Sequence, residues 1–213
     1  MKKSLRVSSY CSVTRNEVVV NNNVIYTGSG GAFKDLSDDI YKKFSFGYPK
    51  FHKMDNLSKL GFLSVELLLR DQKPEQKYPG NDIGIIFMNS SSSLDSDRHH
   101  QNTLSDRENY FPSPSVFVYT LPNTVIGEIC IRHKYYGEGI FFISEKFNPE
   151  FLVRYIEELF ECEAIQCCLA GWVEFDGDDF ESLVFLIEKP DKTDTGIVNF
   201  EPNVIRNIYE KLK

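Results

Sequence analysis

The stretch Gly139-Ile-Phe-Phe-Ile-Ser-Glu-Lys-Phe-Asn-Pro-Glu-Phe-Leu152 is where the chain comes nearest to a reactive centre. Ile140, Phe141, Phe142 and Ile143 read as a buried strand, Ser144-Glu145-Lys146 follows, and Asn148-Pro149 opens a helix. A strand end facing a helix N-terminus suits a nucleophile or an anion, because the helix dipole stabilises negative charge there. Ser144 as a nucleophile needs a base and an oxyanion hole, and no Gly-x-Ser-x-Gly elbow surrounds it. Lys146 can form a Schiff base only from a desolvated pocket. Neutralisation of Lys146 by Glu145 is the simpler expectation. A thiolate would gain most from the dipole, but none of the five cysteines is close. Cys167 and Cys168 fall in an apolar run and read as small core residues.

The remaining reactive side chains are weaker candidates. His99-His100 lies beside Asp95 and Asp97, yet adjacent histidines rarely face one ion, so a polar loop is expected and no metal. His133 ends a predicted helix, where an imidazole suits the negative dipole end. Gly28-Ser-Gly-Gly31 lacks both the dinucleotide spacing and a following Lys-Ser/Thr, so it reads as a turn, and no cofactor is expected. The acidic run Glu174 to Glu181 reads as a solvated turn.

Apolar periodicity supplies the elements that would position these residues. Strands are predicted at Leu5 to Val13, in a hairpin from Val18 to Tyr26 turning at Asn21 to Asn23, at Asn81 to Met88, at Ile140 to Ile143, at Ala164 to Ala170 and at Ser182 to Glu188. Helices are predicted from about Asp35 to Phe44, after a capping Asp55 with Leu57, Leu60, Leu63, Ser64, Leu67 and Leu68 on one face, after a capping Asn123, from Glu150 to Phe160, and from Pro202 to Lys213. Asn89 to Tyr110 is polar and reads as a long loop or a local helix. An extended lead-in is expected before Asn123. Helices alternating with apolar strands point to a layered α/β fold.

Composition narrows the class. With 213 residues, 41% hydrophobic and 14% aromatic, a single domain over 1–213 is expected. A net charge of −7 argues against a nucleic-acid partner. No apolar run is long enough to span a membrane, and Ser8, Ser9, Ser12 and Thr14 interrupt any secretory signal after the basic start. Five cysteines, an odd number, suggest reduced thiols and a cytoplasmic location.

Four stretches carry a resemblance. "YPKFHKMDNLSKLGFLSVELLL", "IGIIFMNSSSS", "PSVFVYTLPNTVIGEICIRHKYYGEG" and "AIQCCLAGWVE", in this order from Tyr48 to Glu174, resemble the N-terminal half of β-ketoacyl synthases, in the thiolase-like superfamily. The resemblance implies a thiolase-like layered α/β/α half-domain with a mixed central sheet. It implies a nucleophilic cysteine between a strand and a helix, a position that falls within one or two residues of Lys146. It also implies a second half bearing two histidines, for which no residues are expected to remain. Trp172 stands where the family has glycine, and space-filling is the expected role. On this resemblance Ile140, Phe141, Phe142 and Ile143 become an interface strand. The chain is then a catalytically inactive accessory or chain-length-influencing subunit in fatty-acid, polyketide or aryl-polyene-type synthesis. It would be a homodimer or a heterodimer with a full-length ketosynthase. The alternatives are an active acyltransferase or condensing enzyme using Ser144 or Lys146, or an acyl carrier protein-binding module using Lys50, Lys53 and Lys59.

Overall fold

The computed structural model describes residues 4–105, 112–190 and 197–212. Strand β1 (Arg6–Val13) leads into the hairpin β2 (Glu17–Val20) and β3 (Asn23–Thr27). Asn21 and Asn22 turn the hairpin with φ of 51° and 67°, the left-handed pair that a two-residue turn requires. Helix α1 (Phe33–Phe44) follows, then α2 (Asn56–Leu69). Asp55 caps α2 as expected, accepting from Ser58 N at 3.0 Å. The single apolar face predicted for α2 is too narrow a description. Ser58, Gly61, Phe62, Val65, Glu66 and Leu69 are buried as well, so the helix is enclosed around its circumference. The sheet covers one side of it, while Tyr48 and Phe51 pack their rings on Phe62.

Strand β4 (Ile83–Asn89) is buried along its whole length. The polar segment after it forms α3 (Leu94–Leu104), with Asp95 and Asp97 in the first turn where the dipole favours them; residues 106–110 lie outside the described residues. The lead-in expected to be extended is a short helix, α4 (Pro114–Phe117), with a 3-10 turn at Val118–Thr120, because Pro114 suits a first helical turn. Helix α5 (Thr124–His133) begins without the predicted cap. Asn123 has φ −70° and ψ −5° and makes no capping bond. Then come β5 (Gly139–Ile143), α6 (Pro149–Glu161), β6 (Cys167–Asp176), β7 (Asp179–Glu188), β8 (Val198–Asn199) and α7 (Pro202–Glu210). The acidic run is mostly strand: Phe175 and Phe180 pack under Phe33 and hold β6 and β7 paired to Asp176 and Asp179.

The sheet order is β3-β2-β1-β7-β6-β4-β5, with β8 also pairing β1. It is mixed: β4 runs parallel to β5 and β6, while β1–β2, β1–β7 and β6–β7 are antiparallel. Helices α1, α2 and α5 contribute to the core on one face, and α6 and α7 to the core on the other. The result is α/β/α layering. The strand β5 is at the sheet edge and only half-buried, not enclosed as its apolar run suggested.

Candidate functional site

The junction after β5 is geometrically complete and chemically quiet. Ser144 N donates to Asn89 O at 2.8 Å, which ties the ends of β5 and β4 together. Ser144 Oγ donates to the main-chain oxygen of Lys146 at 2.9 Å, a bond that activates nothing. Lys146 is exposed, so the desolvation that favours a Schiff-base lysine is missing. The next side chain, Phe147, turns inward instead and is buried against Trp172 and Tyr209, with ring centroids 5.9 and 4.8 Å away. Trp172 Nε1 donates to Glu181 Oε1 at 3.1 Å, and the Tyr209 hydroxyl donates to the same oxygen. Burial and that carboxylate push the Tyr209 hydroxyl well above its ordinary pKa.

The helix N-terminus beside this junction already has its partners. Asn148 caps α6 by accepting from Phe151 N at 3.0 Å, and Pro149 has no N–H to offer. Glu150 pairs with Arg206, whose hydrogen bond holds the carboxyl below the usual carboxylate range. A cleft of about 510 Å³ opens here, with Lys146 and Arg206 facing Glu150 and Glu210. Two cations meet two carboxylates, so the charge of the cleft favours neither sign.

The other sequence candidates separate in space. His99 donates from Nδ1 to Asp95 O at 2.9 Å, whereas His100 packs against Phe117 with centroids 5.4 Å apart. Both lie on α3, the local helix that is one of the two expectations for this polar segment. A cavity of about 250 Å³ lies beside His99, with Lys53, Asp55, Asp95 and Tyr119 in its wall. Burial raises the Asp55 carboxyl, against hydrogen bonds from Ser58 and from Ser96 Oγ at 2.7 Å. His133 stands 2.7 Å from Glu66 Oε1, and Arg132 Nε donates to that oxygen at 3.2 Å. Burial disfavours the Glu66 charge, yet His133 and Arg132 prevail and keep its carboxyl below the usual range. Lys50 pairs with Glu128 at 2.8 Å, and Lys59 sits over the Phe51 ring at 5.8 Å. Of the three proposed carrier-binding lysines, Lys53 is the exposed one without an ion pair among the described residues.

Of one exposed apolar set, sequence reasoning named only Ile143. Among the described residues nine large hydrophobic side chains are exposed, and six of them fall between 117 and 143: Phe117, Val118, Leu121, Ile131, Tyr136 and Ile143. Ile143 ends the edge strand β5, Ile131 is on α5, which packs against β5, and Phe117, Val118 and Leu121 are on the segment that Ser93, just past the end of β4, holds through Thr120. Exposure is what sets them apart, and a linear pattern of apolar residues does not carry it.

No protein-family model matches the sequence, and no curated protein does. Solved structures do match. A structure described as the ishigamide ketosynthase/chain length factor superposes with a TM-score of 0.66 at 14% identity, over 91% of this chain and 64% of that one. The fold is that of the ketosynthases. A type II polyketide synthase acyl-carrier protein in complex with its ketosynthase gives 0.63 at 12% identity, covering 88% of this chain and 63% of that one. A ketosynthase (ApeO) in complex with its chain length factor (ApeC) from Xenorhabdus doucetiae gives 0.59 at 12%, over 99% of this chain and 92% of the matched chain. The chain thus spans less than two thirds of the first two structures and nearly all of the matched chain in the third. Among the described residues, no helix is long and apolar enough to cross a membrane.

Proposed function

We propose that this chain is a non-condensing, ketosynthase-like accessory subunit that pairs with a full-length ketosynthase through the β5 edge. The observation that carries the reading is the edge strand Ile140–Ile143, open on one side, with exposed Ile143 at its end, Ile131 on the α5 helix packed against it, and Phe117, Val118 and Leu121 on the turn that Ser93 holds just past β4. Apolar side chains gathered beside one open sheet edge mark an association surface. The near end-to-end match to one chain of a ketosynthase–chain length factor complex supports the choice of partner. Phe147 facing the core and Lys146 facing solvent, near the position where the resemblance implies a cysteine, support the non-condensing part of the reading. A chain-length influence on fatty-acid, polyketide or aryl-polyene-type products, a cytoplasmic location and contact with an acyl carrier protein near Lys53 belong to the same reading.

The test is co-expression with the complete ketosynthases of the source genome, followed by size-exclusion chromatography. A stable heterodimer is expected, lost in Ile143→Lys and Leu121→Asp while the free variants melt as the wild type does. Both residues are more than half exposed, so their effect on folding should stay within about 0.5 kcal/mol. A chain that stays monomeric beside every ketosynthase, or a heterodimer indifferent to both changes, refutes the proposal.

A further inference from the structure

Phe117, Val118 and Leu121 are each at least half exposed on a four-residue helix and the turn after it, so their position depends on what holds the turn. Some of the bonds are local: Thr120 Oγ1 donates to Phe117 O at 2.7 Å and Thr124 Oγ1 to Val118 O at 2.9 Å. One comes from outside. Ser93, which is buried at the start of α3, donates from Oγ to Thr120 O at 2.7 Å. Phe117 also leans on the ring of His100 from the same helix.

Ser93 is in turn the last residue of a shaped turn. Buried Asn89 accepts from Ser92 N at 2.9 Å and donates from Nδ2 to Ser92 O at 2.8 Å, while Ser92 takes a left-handed φ of 52°. This arrangement leaves the N–H groups of Ser90 and Ser91 pointing at one place. The Glu174 carboxylate of β6 occupies it, accepting from Ser90 N at 2.7 Å, from Ser91 N at 3.3 Å and from Ser90 Oγ. Arg98 of α3 pairs with Asp176 farther along β6. The pairing of β4 with β6 ends at Met88 and Trp172, and β6 runs on beyond it to Asp176 paired with β7, which carries Glu174 past the end of β4 to the Ser90–Ser91 turn. The two N–H groups of the turn thus meet a carboxylate held on a paired strand.

We infer that Glu174 is a positioning residue for the partner-facing surface: it latches the Ser90–Ser91 turn and, through Ser93 and Thr120, fixes where Phe117, Val118 and Leu121 are presented. The role of that surface rests on the proposed function, but the latch can be tested in the free chain. Hydrogen exchange read by mass spectrometry on the wild type, Glu174→Gln and Ser93→Ala separates the links. A glutamine keeps the size but loses the charge that strengthens three hydrogen bonds. Glu174→Gln should speed exchange about tenfold both at 90–93 and at 120–124, and leave β1 and β7 unchanged. Ser93→Ala should speed 120–124 alone. Acceleration confined to 90–93 in Glu174→Gln, or spread evenly over the sheet, overturns the latch. If Glu174→Gln fails to fold, Ser93→Ala decides: unchanged exchange at 120–124 removes the link. Affinity for a co-purified ketosynthase then gives the second arm, where Glu174→Gln should weaken binding about tenfold. A wild-type chain that binds no ketosynthase sinks the accessory reading and leaves the latch standing.

Discussion

Replacing Trp172 with glycine, the residue the resembling enzymes carry in this strand, should bring the fold to the edge of collapse. The side chain is 3% exposed, packs on Phe147, and pairs by register with Met88 of β4 and Leu183 of β7. Truncating a buried tryptophan to alanine costs about 3–5 kcal/mol. A glycine inside a strand adds about 0.5–1 kcal/mol more. The sum, about 4–6 kcal/mol, is a large share of the roughly 5–15 kcal/mol that holds a domain together. Trp172→Phe keeps a ring in place and loses mainly the indole bond to Glu181, which Tyr209 continues to satisfy, so about 1–2 kcal/mol is expected. Urea unfolding followed by far-ultraviolet circular dichroism measures both, since the variants lose the chain's single tryptophan as a fluorescent reporter. A glycine variant within about 1 kcal/mol of the wild type would show that the indole fills no space the fold needs. The site after β5 would then be open rather than plugged.

Asp55 separates a cap from a charge: Asp55→Asn keeps the acceptor for Ser58 N and removes a carboxylate that burial disfavours. Its melting temperature at pH 7 should equal or exceed the wild type's, whereas Asp55→Ala should lose about 1 kcal/mol, or about 2–4 °C. The Glu66 carboxyl is held below its ordinary pKa in the fold, so its stabilisation is complete above the unfolded value of about 4.3 and disappears as pH falls through the folded value. Melting curves from pH 7 to pH 3 should therefore show Glu66→Gln well below the wild type at neutrality, with the gap closing in acid; a constant gap contradicts the assignment. Incubation with malonyl- and acyl-loaded carrier protein should leave the intact mass of the chain unchanged. An adduct that Lys146→Ala or Ser144→Ala abolishes would restore the active-enzyme alternative.

The elements that sequence patterns located best are those fixed by local chemistry. The Asn21–Asn22 turn, the Asp55 cap and the Pro149 helix start each follow from what one side chain does to its neighbouring backbone. The errors arise where distant residues decide. The acidic run from Glu174 looks solvated until Phe33 is seen on Phe175 and Phe180. Ile140–Ile143 looks enclosed because apolar content alone does not tell a central strand from an edge strand. α2 looks one-faced until Tyr48 and Phe51 close over it. The junction at Ser144–Lys146 was legible as a place, through the strand-to-helix change. The inward turn of Phe147 and the Glu174 contact with Ser90, 84 residues away, were not.

The two edges of the one sheet are treated differently, and this difference bears on the proposed partner. At β3 the pairing with β2 shifts register between Val18 and Val19, and Lys43 of α1 donates to Ile25 O at 3.0 Å while lying over the Tyr26 ring. An irregular strand with a lysine on its free carbonyls is a poor template for another strand. At β5 the pairing with β4 is regular over all five residues. Phe142 is anchored on Phe151 and Tyr155, so the strand is held straight from behind. No charged residue interrupts Gly139–Ile143, and Ile143 projects at its end, more than half exposed. A sheet that blocks one edge and keeps the other regular, apolar and supported has the features of an edge meant for pairing. The same features would make an isolated chain prone to associate with itself. On the proposed reading, then, the free chain should show concentration-dependent self-association in sedimentation velocity, and an excess of ketosynthase should suppress it. A chain that remains monomeric at every concentration, with or without that partner, would mean that β5 is protected by something other than pairing.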